Sequence, residues 1–93
     1  MSEGLLFIGA KPFMNYVTGA VLQFTTKGAS AVHIRARGKF IAKAVDVAEI
    51  ATKRFLSTQA KVQSVMINSE QFKNEEGRDV RVSTIDIVLV KST

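Results

Sequence analysis

The sequence predicts an α/β fold of the two-layer α+β type, with the element order β-α-β-α-β-β. Two strand-like segments, residues 5–8 and 31–37, are each followed by apolar residues at helical spacing. Two further strand-like segments end the chain with no helix between them. We therefore expect a four-stranded mixed sheet with two helices crossing on one or both faces. A length of 93 residues with 46% hydrophobic content fits one domain, residues 1–93, around one core.

The first strand and helix meet at a proline. Residues 5–8 form a continuous apolar run, which is typical of a strand buried on both faces. Pro12 suits the first position of a helix, because its missing N–H would have no partner inside the helix. Helical spacing continues from Phe13 to Lys27 and Gly28, which are favourable residues for a helix C-terminus.

The second strand and helix are separated by a glycine. Along residues 31–37 apolar and basic side chains alternate, so one face is buried and the other is open to solvent or a ligand. Gly38 ends this strand, and a helix is predicted over about residues 39–55. That helix is apolar around most of its circumference, which predicts two packing surfaces, a core and a second subunit.

A long hairpin closes the chain. The predicted strands are residues 62–72 and 80–91, and their tip should project as a β-hairpin arm. Along the last strand the apolar positions change phase between Val82 and Ile85. A β-bulge near residues 83–84 would reconcile the two phases.

Positive charge is concentrated in the first half of the chain. The net charge is +5, and residues 4–45 contain no acidic side chain. Concentrated positive charge on a small domain is typical of proteins that bind polyanions. The basic side chains of this segment are Lys11, Lys27, Arg35, Arg37, Lys39 and Lys43.

Catalytic groups are sparse in this sequence. The only histidine, His33, is expected to be an ordinary surface residue, and Asp46 and Glu49 are expected on a solvated helix face. No glycine spacing fits a phosphate-binding loop, and the chain has no cysteine. We expect no enzyme activity, no metal and no cofactor. No apolar run approaches the ~18 residues of a membrane span, so we expect a cytoplasmic protein with no membrane partner.

Basic side chains flank the predicted start of each helix. A helix N-terminus offers unpaired N–H groups and a partial positive charge to a phosphate. The ends of parallel strands lie on one edge of a sheet, so the two basic junctions should be neighbours. Simple solvation of these side chains is the alternative. The predicted nucleic-acid-binding residues at the junctions are Lys11, Asn15, Tyr16, Arg37, Lys39 and Lys43.

The hairpin arm is a weaker candidate. Arg78 and Arg81 are placed to reach a groove or a phosphate. Acidic residues lie among them, so a solvated loop is the alternative.

Several motifs occur in order along the chain, at residues 9–17, 36–39, 43–46, 54–56, 77–78 and 81–85. Together they resemble the Alba family of small, basic archaeal chromatin proteins that also bind RNA. The resemblance implies a fold like the C-terminal domain of translation initiation factor three and a homodimer. It also implies sequence-independent binding of double-stranded DNA that compacts the chromosome in the nucleoid, with the arms along the minor groove.

The same resemblance implies residue roles. Lys11 matches the family's central DNA-contacting lysine, and the other junction residues fall on its binding surface. Phe55 matches the aromatic position through which dimers associate side by side on DNA. The family typically has a second lysine where this chain has Ala10, so acetylation would have to use another lysine, such as Lys11, or be absent.

Three alternatives to a homodimeric DNA-binding protein are also compatible with the sequence. One is an RNA-binding protein that acts on structured RNA or within a ribonucleoprotein. Another is a scaffold that self-associates through the second helix and Phe55. A third is a heterodimer with a major paralogue.

Overall fold

The computed structural model describes residues 2–92. Its two helices and four strands follow the predicted order β-α-β-α-β-β. The elements are β1 (Glu3–Phe7), α1 (Phe13–Thr25), β2 (Ala31–Arg37), α2 (Ile41–Ile50), β3 (Ala60–Lys73) and β4 (Asp79–Lys91). A 3₁₀ turn (Gly38–Phe40) precedes α2 and a π-helical turn (Ala51–Phe55) follows it, so the predicted second helix is one helical segment with irregular ends.

The four strands form one mixed sheet in the order β1-β2-β4-β3. β1 and β2 are parallel, whereas β4 pairs antiparallel with both β2 and β3. β1 is therefore an edge strand, and the expectation that it is buried on both faces is wrong. Leu5 and Phe7 are 45% and 67% exposed, because they point away from the helices.

The core lies between the helices and one face of the sheet, here called the inner face. Ile34 of β2 and Leu89 of β4 are fully buried there. They pack in one cluster with Val17 and Ala20 of α1 and with Val47 of α2. The opposite, outer face carries no helix among the described residues. Alternation along β2 therefore buries the even-numbered side chains and leaves the odd-numbered ones on the outer face.

The π-helical turn fixes the end of the second helical segment. The buried hydroxyl of Thr52 donates to the carbonyl of Ala48 at 2.7 Å, and a hydroxyl in this position competes with the backbone ladder. The N–H of Leu56 donates instead to the carbonyl of Ala51, five residues back, at 2.9 Å. The wider turn leaves Leu56 fully buried and Phe55 half exposed.

The closing hairpin extends beyond the rest of the sheet. β2 pairs with β4 only as far as Thr84, whereas β3 pairs with β4 out to Asp79. The tip therefore projects as a two-stranded arm. Gly77 turns the chain there with φ of +78°, a conformation that favours glycine.

The predicted bulge near residues 83–84 is wrong. Pairing is continuous there, and the irregularity lies in β3, between Val62 and Ser64. The two apolar phases of β4 occupy opposite faces instead. Val82 belongs to the outer face, whereas Ile85 faces the helices. A two-stranded arm has no covered face, so its apolar side chains need not keep one phase.

Candidate nucleic-acid interface

The structure brings the two basic junctions together through Lys43. Its ammonium group donates hydrogen bonds to the carbonyl oxygens of Gly9 and Lys11, at 2.7 and 2.6 Å. Lys43 lies on the first turn of α2, whereas Gly9 and Lys11 belong to the loop between β1 and α1. One side chain thus ties the start of the second helix to the loop before the first. Both Lys43 bonds are charge-assisted, the stronger class of hydrogen bond.

Tyr16 holds the same loop from the core side. Its hydroxyl oxygen accepts the backbone N–H of Gly9 at 2.9 Å and of Lys11 at 3.2 Å. The side chain is buried among the core residues, and its ring lies 5.1 Å from the ammonium nitrogen of Lys43. Tyr16 and Lys43 therefore act on the loop itself, a positioning role that the sequence did not indicate.

The side chains of Lys11, Asn15 and Lys39 are presented to solvent above this support. Among residues 2–92, no carboxylate lies within ion-pairing distance of Lys11 or Lys39. The N-terminus of α1 has no acidic residue in its first turn and, in the described chain, no side-chain cap. Its partial positive charge therefore adds to that of Lys11. We call these three side chains, together with Arg37, the basic edge.

Arg37 differs from the other members of the basic edge because it has a carboxylate partner. Its guanidinium donates to Glu70 of β3 at 2.9 Å, and both side chains are more than half exposed. An exposed pair of this kind is weakened by water and salt. Arg37 is therefore partly neutralised but remains available to a phosphate.

His33 belongs to a charged network on the outer face. Its ring nitrogens lie 3.1 Å from Asp86 and 3.2 Å from Glu3, and Asp86 also accepts from Arg35 at 3.1 Å. No local pattern indicates these partners, because Asp86 is 51 residues from Arg35 along the chain. The network covers two of the four strands and links them to the edge strand β1.

The remaining predicted residues lie on the arm, where Arg81 lines a hollow with Ile41 at the start of α2, and on the second helical segment. Arg78 and Arg81 are exposed on the arm, where Lys73 pairs with Asp79 at 3.4 Å. Phe55 is 50% exposed at the end of the π-helical turn. On α2, Asp46 is exposed, as expected.

An apolar groove runs between α2 and β3. Val45, Val62 and Val65 line it and are 41%, 45% and 53% exposed, and Ile67 farther along β3 is 80% exposed. Glu49 and Lys53 also line it and pair with each other at 2.8 Å. Exposed apolar side chains in contiguous positions are typical of protein interfaces.

Within residues 2–92, no three His, Cys, Asp or Glu side chains are grouped as metal ligands would be. No helix in this part of the chain is long and apolar enough to cross a membrane.

Comparison with known proteins decides the family. A family model described as Alba matches residues 5–69. The chain belongs to the Alba family. It is 47% identical over 91 residues to "DNA/RNA-binding protein Alba 1" of Archaeoglobus fulgidus, an alignment that covers 98% of this chain and 99% of that protein. It is 38% identical over 89 residues to "DNA/RNA-binding protein Alba" of Methanococcus maripaludis, covering 96% and 99% respectively.

Solved structures agree with this Alba assignment. Alba from Thermoplasma volcanium superposes with a TM-score of 0.84 at 42% identity, covering 94% of this chain and 99% of that one. ALBA1 from Trypanosoma brucei superposes with a TM-score of 0.73 at 18% identity, covering 98% of this chain and 71% of that one. At 18% identity, the similarity to the Trypanosoma brucei protein shows a shared fold and nothing more.

Proposed function

We propose that this Alba chain binds double-stranded DNA at the basic edge, through phosphates and without sequence preference. The observation that carries the proposal is the bridge from Lys43 to the carbonyls of Gly9 and Lys11. This bridge joins the loop that contains Lys11 to the start of α2, next to the 3₁₀ turn that contains Lys39. The segment that supplies the basic edge, residues 4–45, has no acidic side chain. The names of the archaeal relatives, which include "DNA/RNA-binding protein Alba", support the same role.

The chemistry of the basic edge favours backbone recognition. Lysine ammonium groups and a helix N-terminus attract phosphate but carry no sequence information. Each phosphate that a basic residue neutralises releases counterions, so affinity should fall steeply with salt. The proposed role is binding rather than catalysis, and it uses no metal or cofactor.

The proposed binding unit is a homodimer joined through the apolar groove between α2 and β3. Burial of the exposed valines of that groove against a second copy would remove apolar surface from water. The two arms would then extend from one body, with Arg78 and Arg81 contacting the minor groove. A heterodimer with a paralogue would use the same groove.

Compaction of the chromosome requires dimers to associate along DNA. Phe55 is half exposed outside the core, where it is free to pack against a neighbouring dimer. A protein that coats DNA in this way would be found in the cytoplasm on the nucleoid. Acetylation of Lys11 would remove one positive charge from the basic edge and weaken its binding to DNA.

RNA is the second candidate ligand, since the relatives are named for both nucleic acids. The deciding experiment is fluorescence anisotropy with matched DNA and RNA duplexes over a salt series. The proposal predicts tighter binding to DNA, with log K falling by about 0.9 per phosphate neutralised for each tenfold rise in salt. Clear preference for RNA would assign the protein to RNA metabolism. No binding to either would leave self-association as the function.

A further inference from the structure

Exposed aromatic side chains lie beside arginines on the outer face of the sheet. Phe7, at the end of edge strand β1, is 67% exposed, and Phe72, in the arm, is 43% exposed. The topology brings them together although they lie on opposite edge strands. Both line one open hollow, here called the outer hollow, which is formed by Phe7, Arg35, Arg37, Phe40, Phe72 and Val82 among others.

Cations flank the rings of the outer hollow. The guanidinium carbon of Arg37 lies 6.0 Å from the ring centroid of Phe72. The ammonium nitrogen of Lys39 lies 5.3 Å from the ring centroid of Phe40. Both distances are in the range of cation–π contacts. Because Arg37 and Lys39 also belong to the basic edge, the hollow opens directly beside the proposed phosphate-binding surface.

Flat apolar rings with interleaved cations match one kind of ligand, the unpaired nucleobase. Every base has a π-face that stacks on an aromatic side chain, and its phosphates are held by neighbouring basic groups. Bases within a duplex are already stacked on one another, so they do not offer these faces.

The outer hollow is a poor match for a second protein chain. Arg35, Asp86 and His33 form a charged network on the same face, and Glu70 pairs with Arg37 beside it. The centres of protein interfaces are depleted of charged residues. The phosphates and bases of a single strand, in contrast, complement a surface that mixes rings with arginines.

We propose that the outer hollow binds single-stranded nucleic acid, with unpaired bases stacked on Phe7 and Phe72 and phosphates held by Arg37 and Lys39. This inference rests on the proposed phosphate binding at the basic edge and adds a second ligand class to it. A strand that leaves a duplex at the basic edge would enter the hollow. The exposed Arg37–Glu70 pair would open to admit a phosphate.

The test compares the natural chain with the double variant Phe7→Leu/Phe72→Leu. Leucine keeps an apolar side chain at each position but removes the π-face, and both positions are exposed enough for the fold to tolerate the change. Leu22→Ala is the matched control, because Leu22 is a 46% exposed apolar residue of α1. Thermal melting checks that all variants are folded. Anisotropy is measured with a short oligouridylate and with a blunt DNA duplex of equal length.

We expect the double variant to lose about tenfold or more in affinity for the single strand, since base–aromatic stacking has an effect of this size. Duplex affinity should stay within about twofold, because phosphates alone are contacted there. The loss should be similar at low and high salt, whereas a loss of phosphate contacts would shrink as salt rises. The control should bind both probes like the natural chain.

Four results would overturn the inference. Equal single-strand affinity in the double variant would show that the rings do not stack on bases. Duplex binding without single-strand binding by the natural chain would reject the hollow but leave the proposed function intact. A change of particle mass in light scattering, with single-strand affinity unchanged, would assign the hollow to a contact between copies. Failure to bind either probe would reject the proposed function as well.

Discussion

The ammonium nitrogen of Lys43 lies 5.1 Å from the ring centroid of Tyr16, and both side chains hold the same loop. The lysine donates to the carbonyls of Gly9 and Lys11, whereas the tyrosine hydroxyl accepts their N–H groups. Between them they engage both polar backbone groups of two loop residues. The position of Lys11 is therefore set by its backbone, and its own side chain is exposed to solvent.

The first prediction separates positioning from direct contact. Lys43→Met removes two charge-assisted hydrogen bonds while keeping an unbranched side chain, so it should lower the free energy of unfolding by about 1–3 kcal/mol. DNA affinity should fall with it. Lys39→Met is the matched control, because Lys39 makes no such backbone bonds in the described chain and should weaken binding without changing stability. Urea denaturation and anisotropy measure the two effects. Equal stability of both variants would contradict the positioning role.

The second prediction concerns the hydroxyl of Tyr16. Tyr16→Phe keeps the buried ring but leaves the N–H groups of Gly9 and Lys11 without their acceptor. We expect a loss of about 1–2 kcal/mol in the free energy of unfolding. Thr18→Val removes a hydroxyl from an exposed position of α1 and should change stability by less than ~0.5 kcal/mol. If Tyr16→Phe melts at the same temperature as the natural chain, the Tyr16 hydroxyl does not stabilise the loop.

The third prediction tests the basic edge by charge reversal. Lys11→Glu should weaken duplex DNA binding strongly and reduce the slope of log K against log salt by about 1, the share of one phosphate contact. Lys91→Glu makes the same change in charge at the end of β4 beside the start of β2, away from the junctions. It should have a much smaller effect. Equal losses in the two variants would mean that binding is spread over the whole surface.

The order of elements was predictable because each has a clear local signal. Alternation along β2 and the proline before α1 need no knowledge of distant residues. The place of a strand within the sheet has no such signal. The apolar run at β1 therefore predicts a strand buried on both faces, although its outer face is open and Phe7 is exposed. Whether a strand lies at the edge or in the centre of the sheet depends on which strands pair with it. That pairing is set by the topology of the whole chain.

The residues of the candidate site were predictable in type but not in role. The chain's charge distribution points to Lys11 and Lys39, which the structure leaves in solvent. The position of Tyr16 near the start of α1 points to it as well, but its hydroxyl accepts the backbone N–H groups of Gly9 and Lys11. Partners such as Glu70 for Arg37 come from a strand that is distant in sequence. Charge and spacing thus predict an exposed basic surface, whereas tertiary hydrogen bonds decide which of its residues hold the backbone and which are presented to solvent.

The fourth prediction concerns the groove between α2 and β3. Val65 is 53% exposed, so Val65→Glu should leave the fold of a single copy intact. In the proposed homodimer this position is buried against the second copy, where an unpaired carboxylate is strongly unfavourable. Sedimentation should therefore give one chain per particle for the variant and two for the natural chain. Leu22→Glu places the same charge at an exposed apolar position of α1 and should leave the dimer intact.

The loss of the dimer should also weaken DNA binding, although Val65 lies outside the basic edge. In a dimer, contact by one basic edge raises the effective concentration of the other near the same duplex. A single copy has one such edge, so both the affinity and the salt slope should fall in Val65→Glu. A variant that is monomeric yet binds duplex DNA as tightly as the natural chain would show that one basic edge is sufficient. It would also restrict the groove to a role in assembly.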